Sequence, residues 1–161
     1  MTYPAELFSF LSCGVYVIGV TDGTQYNAFT AAWVMQVSFN PLLLALSINP
    51  KHRSYAMLKA GESFTVNVLG KEQLELARHF ASPIADRLAK LPWRPGKTGA
   101  PILSRALAYL ECRLEENYPA GDHRLILGRA VGGAVLRPGE PLLYRDTDDM
   151  DGASRLYPEQ F

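Results

Sequence analysis

The chain has 161 residues, 48% of them hydrophobic and 20% charged, with 16 basic and 16 acidic side chains giving a formal net charge of zero. That length suits one compact domain over residues 1–161 with a proper core, and the charge balance leaves no footprint for nucleic acid or an anionic membrane. The longest apolar stretch, PLLLALSI at 41–48, is far below the roughly 20 residues that span a bilayer, and MTYPAELFSFLS has Glu6 but no basic n-region, so a cytoplasmic protein is expected.

In chain order, PAELFSFLS (4–12) places apolar residues at helical spacing after Pro4 and predicts a short amphipathic helix. GVYVIGVTDG (14–23) is rich in β-branched residues and stops at Asp22-Gly23, a strand and a tight turn. YNAFTAAWVMQVSF (26–39) resumes in extended style, and PLLLALSIN (41–49) predicts a strand buried on both faces. A helix is expected near 53–60, stopped by Gly61, followed by a strand at 63–70 and a helix at 71–81 that PIADRLAKL extends as a second short helix. PWRPGKTGAP (92–101) reads as a loop. ALAYLECRLEENY (106–118) and HRLILGRAVGGAVLR (123–137) read as two long strands joined by Pro119-Ala120-Gly121-Asp122, and a less regular tail with the acidic cluster DTDDMD follows.

At least six strands with few short helices argue for a mainly β protein, a closed or nearly closed antiparallel barrel with helices at its side. Gly19, Gly128, Gly132 and Gly133 fall inside strand patterns, where they serve either curvature or a close approach. Cys13 and Cys112, far apart and in apolar segments, are expected to be reduced. His52, His79 and His123 are widely separated and no metal-binding motif is present, so no metal site is expected.

The chemistry concentrates in NAFTAAWVMQVSFNPLLLALSINPKHRS, residues 27–54. Small residues around a hydroxyl (Thr30, Ala31, Ala32) offer a flat surface for an aromatic ring system. A helix start with Arg53 and Ser54 offers donors and positive charge to a phosphate. Separately these are a closely packed strand and a helix cap; together they make a plausible flavin cradle. His52 is either a further phosphate contact or a solvated helix-start residue, and His79, beside Phe80, reads as packing or surface. Asp122-His123 supports two readings, a polar turn entering a strand or a proton-handling pair facing a ligand. Strand neighbours point to opposite faces, so the two side chains need not touch.

The run FTAAWVMQVSFNPLLLALSIN, then HRSYAMLKAGESFTVNVL, then GDHRLILGRAV, resembles the flavin reductase-like FMN-binding family, including the flavoredoxins, over about Gly14 to Leu136. The resemblance implies a split β-barrel with Greek-key antiparallel strands, FMN or FAD at a homodimer interface, and electrons taken from NAD(P)H. It places Thr30, Ala31, Ala32 and Trp33 along the isoalloxazine, Ser47, Ile48 and Asn49 at the ring and ribityl chain, and Arg53 with Ser54 at the phosphate. His123 stands near the reacting face as the catalytic residue, supported by Asp122. Pro41-Leu42 replaces the family's usual Pro-Pro, and Trp33 replaces a small residue, which is closer to members that keep their FMN. The expected activity is an FMN-dependent oxidoreductase passing electrons from NAD(P)H to a protein or small-molecule acceptor. The alternatives are a tight FMN electron carrier reduced by a protein partner and a flavin-free binding module.

Overall fold

The structure, a computed structural model, describes residues 2–161. Nine strands and three helices appear in the order α1(Pro4–Phe8), β1(Tyr16–Thr21), β2(Tyr26–Ala31), β3(Val34–Ser38), β4(Leu43–Ile48), α2(Arg53–Gly61), β5(Ser63–Val68), α3(Leu74–Ala81), β6(Trp93–Pro95), β7(Pro101–Leu103), β8(Ala108–Ala120) and β9(His123–Val135), with two 3-10 turns in the tail. Seven strands form one antiparallel sheet in the order β2-β1-β5-β8-β9-β4-β3. Its two edges, β2 and β3, follow each other in sequence, yet no ladder joins them among the described residues, so the sheet is not closed as a hydrogen-bonded ring. No described helix is long and apolar enough to cross a membrane.

Alternation along the strands divides the interior in two. On β1, Ile18 and Val20 join Phe29, Leu46, Ile48, Leu58, Phe64 and Ile126 in one cluster, which α2 caps with Met57 and Leu58. Val15 and Val17 point the other way, into a second cluster with Ala28, Ala77, Phe80 and Leu103, which α3 covers. The expected both-face burial of the fourth strand holds over Leu44–Leu46.

Two of the strand glycines answer to close approach. A Cβ on Gly19 would collide with the Pro101 carbonyl and the Thr65 hydroxyl, and one on Gly128 would enter the Phe64 ring. Cys13 and Cys112 are free thiols, and burial pushes that of Cys112 up to about 12.

Three expectations need correction. Residues 83–91 form irregular chain with a turn at 87–90 rather than a helix; Lys90 takes a left-handed φ of 64°, which a helix does not continue through, and the Arg87 side chain donates to the Ser82 and Ala28 carbonyls. The stretch 92–101 is not all loop: β6 and β7 pair as a small hairpin, with Trp93 opposite Leu103 and Pro95 opposite Pro101. The extended segment 26–39 breaks at Ala32-Trp33, where the chain passes from one edge of the sheet to the other.

Candidate functional site: a cationic cleft at the start of α2

Helix α2 begins after a tight entry. Lys51 N–H donates to Asn49 Oδ1 at 3.0 Å and His52 N–H to the Asn49 carbonyl at 3.1 Å, so the Asn49 side-chain oxygen shapes the turn. The N-cap is His52, which makes no side-chain cap, rather than Ser54. Ser54 lies inside the first turn, buried, and its Oγ accepts from Asn27 Nδ2 of β2 at 2.9 Å. The amides of Arg53 and Ser54 have no acceptor among the described residues, as expected for the first turn of a helix.

These groups open onto a cleft of about 120 Å³ whose polar lining is Asn27, His52, Arg53, Ser54 and Arg87. Arg87, which sequence reasoning missed, donates through Nε to the Ser82 carbonyl at 2.8 Å and through Nη1 to the Ala28 carbonyl at 3.3 Å. His79 Nε2 lies 2.6 Å from the Arg87 carbonyl oxygen and steadies the same segment. Burial, and then the neighbouring Arg53 charge, lower the Arg87 pKa below its ordinary value. Burial, then Arg87, then His123 likewise lower that of His52, whose ring is stacked on Phe29. Every ion pair among the described residues lies elsewhere, so neither Arg53 nor Arg87 has a carboxylate partner.

Convergent cations, together with free helix amides and no counter-ion, are the donor set of an anion site. The residues therefore fit the phosphate of a flavin nucleotide.

Beyond His52 lies the second half of the site. The Trp33 and His123 rings meet at 4.9 Å between centroids and 47° between planes. Asp122 Oδ1 is 2.7 Å from His123 Nδ1, so the two side chains do touch. The strand rule does not separate them because β9 starts at His123 and Asp122 belongs to the turn. Hydrogen bonding to His123, followed by its charge, holds the Asp122 carboxyl below the usual carboxylate range. An ionised carboxylate only accepts, so Nδ1 carries the proton and Nε2 is the nitrogen left for another partner.

Some expected contacts are already committed to the fold. The Thr30 hydroxyl donates to the Ala77 carbonyl of α3 at 2.6 Å, and Ile48 is buried in the first apolar cluster. These two can meet a ligand through backbone alone. Ala31, Ala32 and Ser47 are half-buried, and Ser47 N–H donates to the Trp33 carbonyl at 3.0 Å, tying β4 to the Trp33 corner.

Residues 8–152 match the family described as "Flavin reductase like domain", and the chain belongs to it. A "Probable flavin reductase" of Rhizobium meliloti is 34% identical over 127 residues, 78% of this chain and 41% of that protein. The chain thus spans less than half of that relative, and 23% of "Diflavin flavoprotein A 1" of Synechocystis, to which it is 33% identical over 79% of its own length. Among solved structures, the NADH:FAD oxidoreductase SgcE6 of Streptomyces globisporus C-1027 superposes with a TM-score of 0.80 at 30% identity, over 88% of this chain and 86% of that one. An FMN-binding protein from Thermus thermophilus gives 0.78 at 28% identity, over 84% and 83%.

Proposed function

We propose that the chain is a single flavin-binding domain that takes electrons from NAD(P)H through FMN and hands them to an acceptor. The observation that carries this reading is the uncompensated Arg53/Arg87 pair at the free amide end of α2, in a chain of the flavin reductase like family. Arg53, Arg87 and the α2 amides hold the phosphate, while the backbone from Thr30 to Ala32 and the ends of Ser47–Asn49 line the ribityl and ring positions. Trp33 and His123 flank the ring. When bound, the flavin supplies hydride acceptance and electron transfer, chemistry that no side chain of the protein can provide. Asp122 fixes the His123 tautomer, so Nε2 accepts a hydrogen bond when the imidazole is neutral and donates one when it is charged.

A homodimer is part of the reading. Met35, Val37 and Phe39 at the β3 edge, with Val131 and Val135 on β9, are exposed apolar side chains that a second copy would cover. The test is anaerobic addition of NADH and of NADPH to the FMN-loaded protein while flavin absorbance is followed. Rapid bleaching is expected, slowed in His123→Asn with FMN affinity retained. No bleaching with either nucleotide would leave the electron-carrier reading instead.

A further inference from the structure

Strand β8 outruns its neighbour. Its ladder to β5 ends at Arg113, and one further bond runs from Leu114 N–H to the Glu62 carbonyl at 2.9 Å. Residues 115–120 then form an edge paired with β9 alone among the described residues, while β9 keeps its own β4 partner only as far as Arg124 opposite Ile48. The tip that carries Asp122 and His123 is thus a two-stranded ribbon, marginal by itself. A register shift between Leu114 and Glu116 interrupts its ladder, and Pro119, opposite Arg124, has no N–H to give it.

One side chain ties this edge to the rest of the molecule. Asn117, half-buried between the exposed Glu116 and Tyr118, donates through Nδ2 to the Tyr55 hydroxyl of α2 at 3.0 Å. Its Oδ1 accepts from Arg124 Nε at 2.9 Å, and its carbonyl accepts from Arg124 Nη2 at 3.2 Å. A guanidinium only donates, so the amide oxygen faces Arg124 and the amide nitrogen faces Tyr55. The remaining side-chain bonds of residues 115–120, from Arg129 to Glu115, stay within the hairpin among the described residues.

Alternation gives the contact its consequence. Asn117 stands opposite Ile126, and Arg124 precedes Ile126 by two residues, so all three lie on the face that packs into the cluster capped by α2. His123 lies on the other face, where its ring meets Trp33. Tyr55 follows Ser54 in the first turn of α2, and its N–H donates to the His52 carbonyl at 3.0 Å. One side of the tip is fastened to the helix whose start carries Arg53, and the other presents the imidazole. We infer that Asn117 is a positioning residue: through Tyr55 and Arg124 it fixes the hairpin tip on α2 and so holds His123 at a constant place relative to the phosphate end of the site. The inference rests on the role given to His123 in the flavin reading. Neither Asn117 nor Tyr55 lines the cleft itself.

Two variants test it, Asn117→Leu, which removes the side-chain bonds at similar size, and Tyr55→Phe, which removes only the hydroxyl. Hydrogen exchange of the full chain without flavin reads the tip directly. Residues 118–125 should exchange about tenfold faster in Asn117→Leu, as the loss of a pair of hydrogen bonds implies, while residues 63–68 of β5 keep the wild-type rate. In the FMN-loaded chain both variants should keep FMN affinity within twofold. Reduction at a saturating nicotinamide nucleotide should slow about tenfold in Asn117→Leu, less than the roughly hundredfold that a misplacement of about 1 Å can cost. The double variant should be no slower than Asn117→Leu, and His123→Asn should cost less in that chain than in wild type, because residues acting as a unit are not additive. Equal acceleration at the tip and in β5 would reduce Asn117 to general stability, and a fully additive loss from His123→Asn would separate it from His123. Either result overturns the inference, as does wild-type exchange at the tip. A wild-type chain that takes up no FMN, or is reduced by neither nucleotide, loses the flavin reading alone, and the exchange comparison then decides for or against the fixed tip.

Discussion

His52 carries the clearest electrostatic consequence at the level of single residues. Burial, Arg87 and His123 all disfavour its charged form, so its folded pKa lies below its unfolded one. Between the two values the unfolded chain binds more protons, and stability therefore falls as pH drops below about 6.5. The carboxyls with lowered pKa values, Asp122 among them, act in a separate window near and below pH 4, so the range from pH 7.5 to 5 excludes them and the His52→Gln comparison separates His52 from the other two histidines. Urea unfolding midpoints should decline over that range in wild type and decline less in His52→Gln; parallel declines would place the effect elsewhere. Residue chemistry was unevenly legible. The Asp122-His123 pair is legible because its members are neighbours in sequence and in space, and Arg53 because it stands at a helix start, whereas the Ser54 partner, Asn27, lies 27 residues away. Arg87 was invisible, since its partners Ser82 and Ala28 belong to a turn and to a strand 59 residues away.

Elements declared themselves where periodicity was strong. The long strands β8 and β9 and helices α2 and α3 follow their apolar spacing, but Pro119 and Ala120, expected in the connection, pair with Arg124 and His123 and extend β8, leaving a two-residue turn at Gly121-Asp122. The β6–β7 hairpin did not declare itself, because Pro92, Pro95, Gly96 and Gly99 punctuate it and its strands are only three residues each. What makes it a hairpin is tertiary: Leu103 is buried in the cluster beneath α3, and Trp93 packs against it. Gly128 illustrates the same limit from the other side. Its sequence position suggests curvature or contact alike, while the structure shows a central position between Leu44 of β4 and Leu114 of β8, with the Phe64 ring where a Cβ would go. Gly128→Ala should destabilise by about 1–3 kcal/mol, the usual cost of overpacking a filled core, read as a lower denaturant midpoint with an unchanged slope. A neutral result would mean that Phe64 can move aside.

Taken as a whole, the molecule presents one edge that a monomer has no reason to leave bare. β3 is paired on one side only, and Met35 and Phe39 are 63% and 89% exposed. Unprotected apolar edges are association surfaces. Light scattering should find a dimer, and Val37→Lys should shift it to monomer by placing a charge within the contact. A monomeric wild type that still retains stoichiometric flavin would contradict a site shared between copies. The central claim remains that a phosphate-bearing flavin sits at the start of α2. Riboflavin and FMN differ only in that phosphate, and Arg53 makes no side-chain hydrogen bond or ion pair among the described residues that its loss would break. Parallel titration of both ligands into wild type and Arg53→Ala is therefore the most direct measurement. FMN should weaken by roughly 1.5 kcal/mol, about tenfold, the lower end for a hydrogen bond to a charged group because the arginine is solvent-exposed. Its loss should shrink at high salt while riboflavin stays put. Equal shifts for the two ligands, or none for either, would contradict the account.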